Sequence, residues 1–367
     1  MNKLLFVINV DWFFISHFLP VAIESVRRGD EVHLACGLTD KKEYLESFGF
    51  IIHPLELSRD GTTFVKEFNS LIGIYKVIKA VAPSKVEFLT IKPVLYGGIV
   101  SKFLNVNKKV FYITGLGYIF IQKGFKGSII RNIVKFLYYI AISGKNSKVI
   151  TENSFDKKLL SGLKAIDDSQ IIIIRGAGVD LSQYEYKPEP SNRVKVVMAS
   201  RLLKDKGVFE YIEGAKILID KGIEVDFELY GDIDIYNPAT LTRKNLQKIT
   251  QEGYVKLKGH TDKIAEVFAA TNIVVLPSYR EGLPKVLVEA SSCGRAIVTT
   301  DVPGCRDAIE PNLTGLLCEV KNVYSLAEKI EKLILDERLR KSMGKEGRIL
   351  AEREFDINKI VVKHLEV

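Results

Sequence analysis

Residues 273–294 read IVVLPSYREGLPKVLVEASSCG, and the fold follows from them. Ile273 to Leu276 is a short apolar run, the pattern of a strand buried on both faces of a parallel sheet. Pro277 to Gly282 is turn chemistry. Pro284 suits the start of a helix, where no backbone N–H is needed, and Val286, Leu287, Val288 and Ala290 carry that helix forward. Gly294 stops it. Strand, loop and helix in this order aim first-turn amides and the positive end of a helix dipole at the loop, which favours phosphate oxygens. Glu281 stands just outside the helix mouth and Glu289 eight positions on, roughly 12 Å along the axis at about 1.5 Å per residue. A sugar diphosphate lying against the helix start has that length, with a carboxylate near each end for its paired hydroxyls. Two glutamates alone would indicate only a solvated helix face; the LPSxxEGxP setting argues against that.

The same alternation runs through the chain. Strands are expected at Leu4–Val10, Val32–Cys36, Val86–Leu89, Val110–Ile113, Lys148–Thr151 and Ile171–Arg175, then at Val194–Ala199, Phe227–Tyr230, Val255–Gly259 and Ala296–Thr299. The first strand leads into a loop, Asp11 to His17, and a helix from Phe18 to Arg28. Leu326–Leu333 and Leu339–Arg353 are amphipathic helices. This is the pattern of an α/β chain with parallel sheets. The polar, proline-containing KPEPSNR at 187–193 reads as a domain boundary, dividing the chain into 1–185 and 190–354. The last stretch, 355–367, is expected to pack back on the first domain.

Composition limits the function. At 367 residues, 47% hydrophobic and 27% charged, the chain can build two globular cores. Its four cysteines show neither metal nor disulfide spacing and are expected to be reduced thiols. The first strand begins almost at Met1, so no targeting segment is expected, and no uncharged apolar run reaches about 18 residues. A cytoplasmic location is the expectation. The net charge of +8 is concentrated: residues 71–150 hold thirteen Lys or Arg against the single acid Glu87. Such a surface suits nucleic acid or an anionic membrane, and no nucleic-acid motif accompanies it. SIIRNIVKFLYYIAI at 128–142 mixes apolar and aromatic residues with Arg131 and Lys135, as an interfacial helix does. Contact with the membrane face is therefore favoured over a core helix that exposes two basic residues.

Candidate ligand groups fall at strand ends, where sheets of this kind bind. His17 follows the first strand and Lys92 the Val86–Leu89 strand. Gly115 and Gly117 follow Val110–Ile113 and would let a diphosphate approach backbone amides. G-L-G-Y-I-F lacks a third glycine, and no acid stands about 20 positions on, so NAD is rejected. Arg201 and Lys206 follow Val194–Ala199; fixed cations there would stabilise charge building on a diphosphate leaving group. Asp232 and Asp234 form D-x-D, a metal signature too short to carry weight, and no metal is expected.

E-G-L-P-K-V-L-V-E at 281–289 resembles the Glu-x7-Glu signature of the retaining family 4 glycosyltransferases. S-H-F-L-P at 16–20, G-V-D at 178–180, Arg201-x4-Lys206 and N-L-T-G-L-L at 312–317 are similar to other parts of that family's pattern, so the resemblance spans most of the chain. It implies the GT-B fold, two facing Rossmann-like domains with the active site in the interdomain cleft. It implies a nucleotide-sugar donor: Arg201 and Lys206 on the diphosphate, Glu289 on the ribose, Glu281 on the donor sugar, the amides of Gly282 and Leu283 on phosphate or sugar, and His260 by the base. His17, Lys92, Gly115 and Gly117 would face the acceptor. Some relatives carry a histidine in the 90–93 loop and this chain does not. G-L-G, G-F-K, S-Y-x-E-G-x-P and G-C-x-x-A-I are similar to bacterial enzymes that extend undecaprenyl-diphosphate-linked sugars in O-antigen, capsule or N-glycan assembly, N-acetylgalactosaminyltransferases among them. The implied partners are a UDP-sugar, an undecaprenyl-diphosphate-linked saccharide and the inner face of the cytoplasmic membrane. The alternatives are a GDP-sugar transferase, a sugar-nucleotide epimerase or hydrolase on the same fold, and a catalytically silent glycan-binding protein.

Overall fold

The computed structural model describes residues 2–57, 64–104, 106–116, 125–235 and 237–367. They form two compact units, Met1–Ala177 with Ile360–Val367, and Gly178–Lys359. The chain passes from one unit to the other ahead of 187–193, the stretch expected as the boundary. That stretch is tied inside the second unit by Glu189, which takes the Arg340 guanidinium at 2.6 Å and the Asn272 amide at 2.8 Å.

The first unit is built on seven strands: β1 (Lys3–Val10), β2 (Glu31–Gly37), β3 (Ile51–Pro54), β4 (Lys85–Leu89), β5 (Lys108–Ile113), β6 (Ser147–Thr151) and β7 (Ile171–Ile173). They pair in parallel in the order β3-β2-β1-β4-β5-β6-β7. Leu4 to Ile8 are buried, as befits a strand covered on both faces. Phe88 and Phe111 stack at 5.4 Å within that core. The second unit has β8 (Lys195–Ala199), β9 (Asp226–Tyr230), β10 (Lys256–Gly259), β11 (Ile273–Leu276), β12 (Ala296–Thr300) and β13 (Gly315–Cys318). Their order is β10-β9-β8-β11-β12-β13, again parallel.

Both sheets reverse direction once, between β1 and β4 and between β8 and β11. Connections leave to opposite sides there and open a crevice beyond the carboxyl ends. The candidate residues of each unit cluster at that edge.

Four expectations need correction. Asp11–His17 is a helix rather than a loop, and Leu19–Arg27 forms a second one after a break at Phe18. Asp11 fixes the first helix: its buried carboxylate accepts from Trp12 N–H at 2.8 Å and Thr39 N–H at 2.6 Å. The strand expected to reach Arg175 ends at Ile173, and Pro284 precedes rather than begins the helix Lys285–Ser292. β3 was not anticipated, being four half-exposed residues at the sheet edge.

The end of the chain returns. Glu337–Leu350 runs through a π-turn, Ala351–Phe355, into the helix Ile357–Leu365. His364, on that helix, is buried in the first unit. Its Nε2 lies 2.7 Å from Glu87 Oε2, and its ring stacks on Tyr112. Lys85 Nζ is 3.0 Å from Glu87 Oε1. Burial alone pushes the Glu87 carboxyl up, but His364 and Lys85 outweigh it and hold the value at about 2.

Candidate active site

In the second unit the loops after β8 and β11 meet. Gly207 makes the approach possible: its φ is +76°, and a Cβ there would collide with the Pro277 carbonyl. Tyr279 N–H donates to Asp205 O at 2.9 Å, closing the loops on each other. Lys206 Nζ reaches Glu281 Oε1 at 2.5 Å. Ser278 Oγ donates to the same oxygen at 2.6 Å, and Thr300 Oγ1 donates to Ser278 O from the next strand. Beneath this loop Gly304, with φ +81°, leaves no space for a Cβ against the carbonyls of Glu281 and Gly282. The Glu281 carboxylate is thus clamped at the entrance to Lys285–Ser292, on the β11 side of the strand reversal.

Glu289 lies further along that helix and is buried. Tyr184 OH donates to its Oε1 at 2.9 Å, and Lys285 Nζ stands 3.7 Å from the same oxygen. Burial raises the Glu289 carboxyl above its ordinary range, and the tyrosine and lysine only partly offset this. The Tyr184 phenol is pushed up by burial and by Glu289 itself.

Arg201 follows β8, as expected, but its Nη1 donates to Asp234 Oδ2 at 3.0 Å rather than joining Lys206 at Glu281. Asp234 is thereby occupied as the partner of a guanidinium. Among the described residues no three His, Cys, Asp or Glu gather as a metal site. His260, exposed at the end of β10, faces Asp262 at 3.1 Å. Gly282 and Leu283 link the clamped carboxylate to the helix start.

In the first unit His17, Lys92 and Gly115 follow β1, β4 and β5, three neighbouring strands. His17 stacks on Phe13 at 4.0 Å. Lys92 is held by Glu67 at 2.6 Å, which also accepts from Tyr96 OH at 2.5 Å. Thr90, just before Lys92, has φ +74° and ψ 165°, a strained backbone for a β-branched residue. Gly117 lies outside the described residues.

Sequence reasoning missed Ser278, Tyr184, Asp234 as an arginine partner, and Lys285. Lys285 was readable, one helical turn before Glu289. Tyr184 was not, standing 105 positions away.

Comparison with known proteins gives the family and the fold. Residues 3–153 match the family model "Glycosyl transferase 4-like" and residues 183–349 "Glycosyl transferases group 1". The chain is 28% identical to the N,N'-diacetylbacillosaminyl-diphospho-undecaprenol alpha-1,3-N-acetylgalactosaminyltransferase of Campylobacter jejuni, over 96% of this chain and 95% of that one. It is also 28% identical to the capsular polysaccharide biosynthesis glycosyltransferase CapM of Staphylococcus aureus, over 94% and 91%. Among solved structures, Anabaena HepE in complex with UDP and glucose superposes with a TM-score of 0.79 at 18% identity, covering 100% of this chain and 99% of that one. The two parallel sheets are Rossmann-like units of the GT-B kind. With its first half 4-like and its second half of group 1, this chain belongs to the glycosyltransferases.

Proposed function

We propose that the chain moves a hexose or N-acetylhexosamine from a UDP-sugar to a sugar on a lipid diphosphate, with retention at the anomeric carbon and no metal. The C. jejuni relative's name suggests N-acetylgalactosamine as the sugar and an undecaprenyl-diphosphate-linked saccharide as the acceptor. Surface polysaccharide synthesis is the matching context, in which CapM is also named.

One observation carries the proposal: the Lys206–Glu281 pair, 2.5 Å apart at the strand reversal, with Ser278 on the same oxygen. An ammonium and a carboxylate so placed can serve the two parts of one donor, the cation its diphosphate and the carboxylate its sugar hydroxyls. Arg201, the exposed partner of its pair, joins the diphosphate by turning from Asp234, and the amides of Gly282 and Leu283 meet phosphate or sugar. Both side-chain contacts of Glu289 fall on Oε1, so Oε2 is the oxygen for a ribose hydroxyl. His260 stands by the base. His17, Lys92 and Gly115 serve the acceptor, and Gly117 is assigned with them.

In the reaction the acceptor hydroxyl attacks the anomeric carbon on the face that UDP leaves. The sugar–phosphate C–O bond breaks as the new glycosidic bond forms, and the hydroxyl proton passes to a departing phosphate oxygen. Arg201 and Lys206 take up the charge that develops there.

Glu281→Gln should lower turnover on the order of 10²-fold while UDP still raises the thermal midpoint. Full activity of that variant would defeat the proposal. UDP-sugar consumed without acceptor would instead indicate an epimerase or hydrolase, and midpoint protection by GDP-sugars alone would reassign the donor.

A further inference from the structure

The second unit has a hollow apart from the Lys206–Glu281 crevice. At the carboxyl ends of β12 and β13, a cavity of about 490 Å³ is lined by Asp301, Glu319, Asn322, Tyr324, Glu328 and Lys329, among others. The sheet order puts it on the flank away from His260, which follows β10 at the opposite end. Adjacent strands stand about 4.8 Å apart, so β13 is roughly 10 Å from β11 and the loop that carries Glu281. A short oligosaccharide spans that distance.

The lining is held in place by its own bonds. Asn322 caps the helix Val323–Leu335, its Oδ1 accepting from Ser325 N–H at 3.0 Å and its Nδ2 donating to Glu319 Oε2 at 2.7 Å. Ser325 Oγ accepts from Glu319 N–H at 3.1 Å. Between them Lys321 takes a φ of +60°, a left-handed backbone uncommon outside glycine. That residue lays its ammonium over the Tyr279 ring, 4.6 Å from the centroid. Tyr279 stands two positions before Glu281, and its OH donates to Glu210 Oε1 at 2.6 Å. The turn that shapes the hollow is thus tied to the donor loop.

Tyr324 is 79% exposed, although it sits in the first turn of an anchored helix. Around it the polar groups are mainly acceptors. Asn322 occupies one Glu319 oxygen, and Arg306 Nε donates to Asp301 Oδ1 at 2.5 Å. Glu319 Oε1 and Asp301 Oδ2 are left for other donors. Three carboxylates against one ammonium repel phosphate, so neither a nucleotide nor a lipid diphosphate suits this lining. A sugar does: the C–H face of its ring lies on an aromatic, and its hydroxyl hydrogens go to carboxylate oxygens.

We propose that the hollow holds the sugars of an uncharged or amino oligosaccharide, with Tyr324 as the platform and Glu319 and Asp301 on the hydroxyls. The site stands on its own geometry; only its use, keeping a glycan close to the point of transfer, rests on the function proposed above. The test is saturation-transfer NMR of the full chain in excess UDP, with chitotriose, maltotriose and a trisaccharide of N-acetylgalactosamine as probes. At least one should bind. Tyr324→Ala should weaken it roughly tenfold and Glu319→Gln severalfold, with UDP binding and thermal midpoint unchanged. A sulfated trisaccharide should show no dependence on Tyr324. No binding by any of the three probes, binding indifferent to Tyr324→Ala, or an equal Tyr324 dependence for the sulfated sugar would overturn the proposal.

The source of the sugars is read from transfer to lipid-diphosphate acceptors carrying one sugar or three. If the acceptor's own sugars enter the hollow, Tyr324→Ala raises KM roughly tenfold for the longer acceptor alone. If a separate glycan enters, both KM values hold while the NMR loss remains. Failure of the unaltered chain to use either acceptor would count against the proposed function and leave the NMR result to decide the hollow.

Discussion

Glu87 in the first unit and Glu289 in the second are both buried, and they are treated in opposite ways. Glu87, on β4, has a histidine hydrogen-bonded to one oxygen at 2.7 Å and a lysine 3.0 Å from the other, an ion pair without hydrogen-bond geometry. Its charge is met, and its carboxyl is held at about 2. Glu289, on the helix Lys285–Ser292, has a tyrosine and a more distant lysine on one oxygen only, and burial leaves its carboxyl raised. A buried charge costs several kcal/mol unless fully compensated. Glu87 is compensated within the protein and acts as a fastening. Glu289 is left in deficit, the state expected of a group whose remaining partner is a ligand.

The sharpest way to break this comparison is to neutralise Glu87. Glu87→Gln should destabilise the first unit by about 3 kcal/mol, because His364 and Lys85 lose their counter-charge; denaturant titration measures it. Glu289→Gln should behave differently, weakening UDP roughly tenfold by calorimetry while the ligand-free thermal midpoint holds or rises. A fall in stability like that of Glu87→Gln would make Glu289 a second fastening and end the distinction.

Acid should separate the two as well. The folded value of Glu87 lies below its ordinary 4.5, so its stabilisation is complete above 4.5 and withdrawn as pH falls toward about 2. The folded value of Glu289 lies above 4.5, so the folded chain gains from protonating it and pays for its charge as pH rises through that raised value. UDP affinity should therefore weaken on acidification before the Glu87 contribution to stability is lost, in parallel calorimetry and thermal melts. The smallest expected effect is Tyr184→Phe, a severalfold loss of UDP affinity from removing one hydrogen bond to a carboxylate.

How far the sequence foretold this site depended on distance along the chain. Glu281 and Glu289 lie within one strand–loop–helix, so turn residues and helix spacing place them without help, while Ser278 in the same loop was missed because nothing local marks its hydroxyl as a partner of Glu281. Arg201 and Lys206 were found because they follow a strand, but the Asp234 that holds Arg201 had been weighed only as half of a metal motif. Lys92 was recognised by position, whereas Glu67, 25 residues earlier, could not be matched to it without the fold. The Asp11–His17 helix was hidden because its start depends on Thr39, in the loop after β2. β3, half-exposed at an edge, has no buried pattern to read. Local grammar revealed the Glu281–Glu289 segment, and only tertiary contact revealed what steadies it.

The placement of Ile360–Val367 in the first unit has a further consequence. In chain order the second unit is an insertion within the first, not an appendage after it. During synthesis the earlier unit cannot gain His364 as the partner of Glu87 until the helix Ile357–Leu365 emerges from the ribosome, long after Glu87 has been made. A fragment stopping at Ala177 would leave that carboxylate to Lys85 alone, and a peptide spanning 357–367 supplied in trans is the simplest means of completing it.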